Sequence, residues 1–562
     1  MGHTSFQYNR RAFIRTGLLG AGALSLGPAF LRRAFAAGPV TVGDGPYGPL
    51  QAGFDANGIK LPAGFKSRRI AVGQQFVGDT AYPWHGATDG QATFPTLSAD
   101  DKPDGGWILV ANSEVPGSGG ASAIEFAADG EIEDAYRILA GTSSNCAGGP
   151  TPWGTWLSCE EYDEGKVHEC DPTGATPAVA RPAMGVFSHE AACVDPINQH
   201  VYLTEDEGDS CFYRFTSDEY PDLSAGLLEA AVGEAPGVLS WAEVPNPAGG
   251  LLTPTRKQVP GAARFDGGEG TWFDNGIVYF TTKGDTKVWA YRVETSVLEV
   301  LYDREALEAS GEMPPLSRVD NITVAPSGDI FVCEDGPEIE RDLDICVITP
   351  EFEVSRFLML DPEMHSGPPD PNPVKGNETV GVVFDPSGKR MYFGAQRSFG
   401  VGGDENVPAG VVYEITGDFR LPPPETGTPA DAGSTEELST DSNAPLRLIA
   451  RSRRTIRRLL HSGLPITLEL DELAGVNAVL RAPTHNGNGR KRIATLARVR
   501  SNVAVRGKVD INLRADRRAE RLLRGRRRVK AELVVTVSYA DGRRSVLRRD
   551  IVLSRGPRER IS

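Results

Sequence analysis

A short segment from Asn145 to Glu161 carries a high density of groups that can do chemistry. It contains Cys146, a Gly-Gly pair, two tryptophans and the adjacent carboxylates Glu160 and Glu161. A thiolate is a ligand for iron, zinc or copper, whereas carboxylates suit harder cations such as calcium. Glycines let the backbone approach a bound group closely. The segment therefore predicts a metal site.

One candidate ligand also stands shortly before the end of a predicted strand in each of several later segments. The set is Cys146, Glu190, Glu269, Asp320 and Glu378. If these residues converge on one channel, the four carboxylates raise each other's pKa, and bound cations relieve the repulsion. The alternative for each residue is a structural role, in which the side chain accepts hydrogen bonds from backbone amides at a strand end.

The elements that must position these residues are short strands that recur along the chain. Polar or acidic residues end successive strands near Glu114, Glu160 and Glu205, at intervals of about 45 residues, and further such ends follow near Thr282, Glu334 and Gln396. Turn sequences such as Asp274-Asn275-Gly276 precede several of these strands. The pattern predicts an all-β protein with a six-bladed β-propeller over residues 40–421. A pair of β-sandwiches is the alternative.

Charge divides the chain into two parts. Residues 445–562 hold 30 of the 59 basic and 10 of the 75 acidic residues, a net charge near +20, and the remainder is near −36. Residues 422–444, rich in Pro, Thr, Ser and acidic side chains, are predicted to be a linker. An acidic domain suits cation binding, although a solvated acidic surface explains most of its carboxylates.

The first 36 residues predict export. Arg10-Arg11 followed by Phe13, an apolar run from Gly17 to Leu31 and the small residues around Ala36 are typical of a twin-arginine signal peptide. No later apolar run is long enough to span a bilayer. We therefore expect a protein that acts in the periplasm, in the cell envelope or outside the cell.

The cysteines offer candidate disulfides in such a compartment. The pairs Cys159–Cys170, Cys193–Cys211 and Cys333–Cys346 are close in sequence, and this pairing leaves Cys146 unpaired. Spacing alone does not fix the connectivity. A free Cys146 is either a buried apolar residue or a metal ligand, and its neighbours favour the ligand.

These motifs together resemble the PhoX-type alkaline phosphatases and their relatives, over about residues 40 to 420. The resemblance rests on Asn145–Gly149, Thr151–Trp156, Cys159–Glu161, Ser188–Ala191, Val201–Asp206, Phe212–Phe215 and Gly268–Gly270. It implies a six-bladed propeller with a cluster of Fe3+ and Ca2+ ions at the channel mouth. The implied activity is the hydrolysis of phosphate monoesters.

The resemblance also implies roles for single residues. Cys146 matches the family's iron-binding cysteine, Glu190 and Asp320 stand where acidic iron ligands are expected, and Arg318 stands where a phosphate-binding arginine is expected. Asn112 and Glu114 resemble an Asn-x-Glu pattern near the substrate, and Asn112 joins Arg318 as a candidate catalytic residue. The calcium-side candidates are Glu160, Glu161, Glu205, Asp206 and Glu269, and Glu334 and Glu378 complete the candidate metal ligands.

Two alternatives to a phosphatase stay open at this stage. One is a calcium-stabilised propeller that binds a ligand or partner without catalysis, and the other is a metal-dependent phosphodiesterase or lactonase on the same scaffold. Fold alone does not decide among them. A small phosphoester substrate and a monomeric protein are expected.

The basic region 445–562 predicts a small Ig-like β-sandwich, preceded by an amphipathic helix at Leu446–Leu460. Its arginines suit an anionic envelope polymer, or contact with the acidic domain. No set of aromatic stacking residues accompanies them, which argues against nucleic acid.

Overall fold

The structure is a computed structural model that describes residues 40–98, 103–249, 253–336, 343–365, 376–398, 401 and 409–421, together with the strands between 447 and 554 and a few single residues among them. Contacts divide the chain into two units, 1–428 and 429–562. The predicted signal peptide (1–36) and linker (422–444) lie outside the described residues.

The described part of the first unit is built from short strands, and the predicted all-β class is confirmed. Its strands are β1 Thr41–Val42, β2 Ile59–Lys60, β3 Lys66–Val72, β4 Thr88–Leu97, β5 Pro103–Ser113, β6 Gly120–Phe126, β7 Ile132–Leu139, β8 Asn145–Pro150, β9 Trp156–Glu160, β10 Val167–Cys170, β11 Val179–Ala180, β12 His189–Asp195, β13 His200–Glu205, β14 Tyr213–Glu219, β15 Asp222–Val232, β16 Gly237–Val238, β17 Ser240–Glu243, β18 Gly268–Asp274, β19 Ile277–Thr282, β20 Lys287–Arg292, β21 Val297–Asp303, β22 Ile322–Val324, β23 Ile330–Cys333, β24 Leu343–Ile348, β25 Glu353–Leu360, β26 Thr379–Phe384, β27 Arg390–Ser398 and β28 Ala409–Thr416. The helices are α1 Arg304–Ser310, α2 Pro362–His365 and the 3-10 turns Pro182–Met184 and Thr255–Lys257.

Within the described residues these strands form six sheets, each built mainly from strands consecutive in the chain. They are β4–β7, β8–β11, β12–β15 with β17, β18–β21 with β16, β22–β25 with β1 and β2, and β26–β28 with β3. The first strand of each sheet contacts the first strand of the next, and β26 of the last sheet contacts β4 of the first. Residues on the first strands of all six sheets are thereby brought together.

The sixth sheet joins the two ends of the unit. β3, from the beginning of the described chain, pairs antiparallel with β28, so that Val72 lies opposite Val411 and Lys66 opposite Thr416. Local sequence explains the strands themselves. β19 reads Ile-Val-Tyr-Phe-Thr-Thr and is buried on both faces. The two-residue turn before it places Asn275 at φ 47° and Gly276 at φ 85°, the left-handed conformation that tight hairpins need.

Alternation along the strands places the two faces of each sheet in different hydrophobic cores. On β23, Phe331 and Cys333 pack in one core with Phe393, whereas Val332 packs in another core with Tyr279. Phe331 lies edge-to-face against Phe357, with ring centroids 5.2 Å apart. Neighbouring sheets are therefore held together by apolar side chains on both faces.

The same alternation overturns the three predicted disulfides, because all seven cysteines are free and buried. Cys333 packs in one core and Cys346 in the next, although their strands are hydrogen-bonded neighbours. Cys159 and Cys170 are likewise divided between two cores, as are Cys193 and Cys211. The members of each pair lie on opposite faces of a sheet or in different cores, so closeness in sequence does not bring the sulfurs together.

The second unit also consists of strands where it is described. They are β29 Arg447–Ile449, β30 Arg453–Thr455, β31 Leu464–Leu470, β32 Ala474–His485, β33 Lys491–Val503, β34 Gly507–Leu513, β35 Arg528–Tyr539 and β36 Arg544–Ser554. They form the two sheets β29-β31-β34 and β30-β36-β35-β32-β33. The amphipathic helix predicted over Leu446–Leu460 is wrong, since β29 and β30 fall there. The Ig-like assignment stays a prediction. Among the described residues of the whole chain, no helix has the length and apolarity needed to cross a membrane.

Candidate metal centre

A β-bulge at the same place in the first strands of four sheets positions the central residues of the site. The bulges interrupt β4 after Thr88, β8 after Asn145, β12 after His189 and β18 after Gly268. A bulge re-aims the side chains of the inserted residues and is common next to functional sites. The first residue inside each bulge has a side chain that can bind a metal ion. These residues are Asp89, Cys146, Glu190 and Glu269.

These first strands border a cavity of about 230 Å³. Its lining combines one thiol, seven carboxylates and three cationic side chains: Cys146, Glu114, Glu161, Glu190, Glu269, Asp320, Asp335, Glu378, Lys283, Arg318 and Arg397, with Gly336 and Gly376. If every carboxylate were ionised, the lining would carry four more negative than positive side chains. The cavity is therefore suited to bound cations.

Two groups of side chains among the described residues are arranged to hold a metal ion, and Glu190 belongs to both. Cys146, Glu161 and Glu190 form the first group, and Glu190, Glu269 and Asp320 form the second, with the ligand atoms of each group within 4.8 Å of one another. Both carboxylate oxygens of Glu190 and Oδ2 of Asp320 are buried and accept no hydrogen bond. Buried charged oxygens without partners are costly, so the donor set fits metal ions well.

The electrostatics of the two groups agree with this fit. Burial, followed by repulsion from Glu269 and other carboxylates, raises the pKa of Glu190 well above its usual value. Burial and then Glu269 raise the pKa of Asp320 in the same way, and burial followed by Asp89 raises the pKa of the Cys146 thiol. A cation bound among them would favour the charged forms that metal ligation requires.

In three of the sheets, two adjacent acidic residues stand at the end of the second strand. The two residues of a pair have different contacts. Oε1 of Glu160 accepts a hydrogen bond from the amide of Ser143, and Oε2 accepts from the amide of Lys166 and lies 3.1 Å from Nε2 of His168. Glu161, the next residue, lines the cavity. In the pair Glu334-Asp335 the second member also lines the cavity, whereas Asp206 of the pair Glu205-Asp206 lies outside the lining, 2.8 Å from Nζ of the lining residue Lys283.

The first members of these two pairs also satisfy backbone groups. Glu205 accepts hydrogen bonds from the amide of Cys211 and the hydroxyl of Tyr213. Glu334 accepts from the amides of Ser317 and Asp344. These carboxylates connect a strand end to a neighbouring loop or strand, which is the structural alternative foreseen for single residues.

Three cationic side chains pair with carboxylates in and beside the cavity lining. Nζ of Lys283 lies 2.8 Å from Oδ2 of Asp206 and 2.8 Å from Oε1 of Glu269. Arg397 binds Glu378 at 2.6 Å and Glu114 at 2.7 Å. Arg318 lies 2.8 Å from Asp335, and its side chain is 34% exposed, which leaves part of the guanidinium accessible.

The sequence matches a family model described as "Alkaline phosphatase PhoX" over residues 110–176 and 163–398, which together cover just over half of the chain. The chain belongs to the PhoX family. No curated protein matches the sequence.

Two solved structures show a weak similarity to the chain. A protein of unknown function from Bacteroides thetaiotaomicron shares 10% identity and a TM-score of 0.36, over 62% of this chain and 76% of that chain. A putative 6-phosphogluconolactonase from Bacteroides uniformis shares 16% identity and a TM-score of 0.29, over 53% and 76%. TM-scores this low indicate nothing about function.

Most residues predicted from the PhoX resemblance meet in the cavity, and some do not. Those in the lining are Cys146, Glu114, Glu161, Glu190, Glu269, Asp320, Glu378 and Arg318. Asp206 reaches it through Lys283. Glu160, Glu205 and Glu334 lie outside the lining and accept hydrogen bonds from backbone amides, and their metal-ligand role stays a prediction.

Asn112 lies outside the cavity lining, and both ends of its side-chain amide are hydrogen-bonded within the protein. Nδ2 donates to the carbonyls of Cys146 and Ala147, while Oδ1 accepts from Trp156 Nε1 and Ser158 Oγ. The side chain therefore fixes the backbone that carries Cys146. Its predicted catalytic and substrate-binding role stays a prediction.

The residues that sequence reasoning missed are Asp89, Lys283, Asp335 and Arg397. Each lies in a repeat unit or beside a strand end that the repeat had already marked, so position in the repeat was the available signal. His85 and His189, the histidines nearest to the motifs, are buried, and burial lowers the pKa of each to about 3. They are neutral and serve structural contacts, such as that of His189 with the carbonyl of Gly185 at 3.1 Å.

Proposed function

We propose that the protein is an exported phosphatase that hydrolyses phosphate monoesters at metal ions held in this cavity. The observation that carries the proposal is the pair of donor groups sharing Glu190, whose buried oxygens have no partners, in the same cavity as the accessible Arg318. Membership of the PhoX family supports the reaction class.

The donor atoms favour a different metal in each group. The Cys146 thiolate with Glu161 and Glu190 suits Fe3+, whereas the all-carboxylate group Glu190, Glu269 and Asp320 suits a harder cation such as Ca2+. Metal ions bound there withdraw charge from the phosphoryl oxygens. Arg318 binds two phosphoryl oxygens with its planar guanidinium and orients the ester. Asp335 holds that guanidinium in place.

The proposal includes the architecture and the location. We propose that the six sheets are the blades of a six-bladed propeller, supported by the cyclic contacts of their first strands. The twin-arginine sequence in residues 1–36 supports export, and a monomer suffices because one chain supplies both donor groups. The basic region 445–562 is proposed as an Ig-like domain that binds an anionic envelope polymer.

Metal analysis combined with a turnover assay tests the proposal. The mature protein is expected to contain iron and calcium and to release phosphate from an aryl phosphate, and Glu190→Gln is expected to lose both metals and turnover. Metal without turnover would support the binding protein, and faster cleavage of a diaryl phosphate would support the phosphodiesterase. Absence of metal from active protein would refute the proposed site.

A further inference from the structure

Apart from Glu161, the carboxylates in and beside the cavity lining fall into an inner and an outer set. The inner set, Glu190, Glu269 and Asp320, is at most 3% exposed. The outer set, Asp206, Asp335, Glu114 and Glu378, has side chains between 13% and 19% exposed. The two sets are neutralised differently. Glu190 of the inner set accepts no hydrogen bond, and Glu269 shares Lys283 with the outer set, whereas every outer carboxylate has a cationic side chain within 4 Å.

Lys283 lies among three carboxylates, in the position that a metal ion coordinated by them would occupy. Its Nζ lies 2.8 Å from Asp206, 2.8 Å from Glu269 and 3.7 Å from Asp335. A calcium ion needs six to eight oxygen ligands at about 2.3–2.6 Å. The ammonium already occupies the point on which these oxygens converge, so Ca2+ does not fit there while Lys283 is in place.

Arg397 acts in the same way on the other side of the outer set. Its two terminal nitrogens bind Glu378 at 2.6 Å and Glu114 at 2.7 Å. Nε2 of Gln396, the preceding residue, also donates to Glu114 at 2.9 Å. Both donors bind the same oxygen, Oε2 of Glu114, which is thus already bound to donors of the protein itself.

We propose that Lys283 and Arg397 are built-in cations that take the place of calcium ions in the outer part of the cavity, so that only the two groups sharing Glu190 bind metal. The inference rests on the proposed function, because the PhoX resemblance is what implies calcium at Asp206 and Glu269, two of the three carboxylates around Lys283. A covalently attached cation does not dissociate. The outer set therefore keeps its geometry, and its positive charge toward a phosphate, when free calcium is removed.

Calcium counting by equilibrium dialysis and calorimetry tests the inference on the iron-loaded full chain, with Ca2+ alone as the probe. Lys283→Met removes the charge and retains the length, and we expect it to bind one calcium ion more than the wild type. The matched control is Lys287→Met, because Lys287 also pairs with two aspartates, Asp285 at 3.0 Å and Asp303 at 3.8 Å, outside the cavity lining. The control is expected to bind as much calcium as the wild type. Equal calcium counts in Lys283→Met and the wild type would overturn the inference.

A second variant keeps the test decisive if Lys283→Met does not fold. Asp335→Asn retains Lys283, and the inference requires that its calcium count equal that of the wild type. A loss of calcium in Asp335→Asn would place the ion in the outer set and contradict the inference. Turnover of an aryl phosphate is measured separately, so an inactive protein with the expected calcium counts would sink the proposed function alone.

Discussion

Glu160 and Glu161 are adjacent in the chain but serve opposite sides of their strand. The Glu160 carboxylate accepts hydrogen bonds from the amides of Ser143 and Lys166, whereas Glu161 faces the cavity within reach of Cys146 and Glu190. The electrostatics differ accordingly. The hydrogen bond and the charge of His168 outweigh burial and hold the pKa of Glu160 below its usual value. Burial and then Asp206 raise the pKa of Glu161 well above it. One carboxylate stabilises the fold, and the other is available to a metal ion.

The different roles of Glu160 and Glu161 predict that one conservative variant loses iron affinity and the other loses stability. Glu161→Gln removes a charged ligand, and we expect its iron affinity to fall by about tenfold or more. Glu160→Gln keeps an acceptor for the two amides, so it should retain iron and lose about 1 kcal/mol of unfolding free energy. Iron analysis and thermal unfolding of both variants measure the contrast. Iron loss in Glu160→Gln with full retention in Glu161→Gln would reverse the assignment.

The Cys146 thiolate predicts a spectroscopic signature. Iron-loaded protein should show a visible absorption band from its iron–ligand bonds, and Cys146→Ala should bleach it. Cys159→Ala is the control, because Cys159 is also buried but packs in an apolar core. That variant is expected to keep the band and lose about 1–2 kcal/mol of stability. An unchanged spectrum in Cys146→Ala would remove Cys146 from the ligand set.

The cysteines of each predicted pair lie in separate hydrophobic cores, and this predicts the number of reactive thiols in the denatured protein. Protein denatured with a chelator and without reductant should react with seven equivalents of a thiol reagent, because all seven cysteines are free. The three disulfides expected from spacing would leave a single reactive thiol. A count of one would therefore reinstate the pairing that the sheet faces exclude.

The raised pKa of Asp274, the last residue of β18 before a hairpin turn, predicts that the stability of the protein depends on pH. Burial raises the pKa of this carboxyl from 3.8 to about 6, against a smaller opposing effect of Asn275. The folded protein thus binds the proton more tightly, and its stability should fall as pH rises from about 4 to 6, by about 1–2 kcal/mol. Asp274→Asn should remove this decline and be the more stable protein at pH 7. Parallel unfolding curves for the two proteins between pH 4 and 8 would contradict the assignment.

The sequence predicts the repeat and the central ligands because both depend on position along a strand. Glu190, Glu269 and Asp320 recur before strand ends, and the repeat brings them to one cavity. The sequence does not predict which member of Glu205-Asp206 or Glu334-Asp335 faces the cavity. That depends on the residue at which the strand's hydrogen-bonded pairing with its neighbour ends. Asp89 was missed although it stands at the same bulge position as Cys146, Glu190 and Glu269.

Lys283 and Arg397 were missed for a different reason. A search for metal ligands selects carboxylates and thiols, and the cations that neutralise carboxylates are absent from that selection. The disulfide prediction failed because neighbours in sequence, such as Cys333 and Cys346, were separated by the alternation of side chains on paired strands. The helix expected at Leu446–Leu460 failed because its spaced arginines also suit edge strands, where charged side chains are common.

The pairing of β3 with β28 has a consequence for the order of events during biosynthesis. Val72 emerges from the ribosome early and its partner Val411 late, so the sixth sheet cannot close until nearly the whole first unit has been synthesised. Contacts between distant residues slow folding because a long loop must be ordered first. The cavity takes residues from all six sheets, so it is completed only after the unit has been translated. Any metal must therefore be inserted in the compartment where the chain has completed its fold.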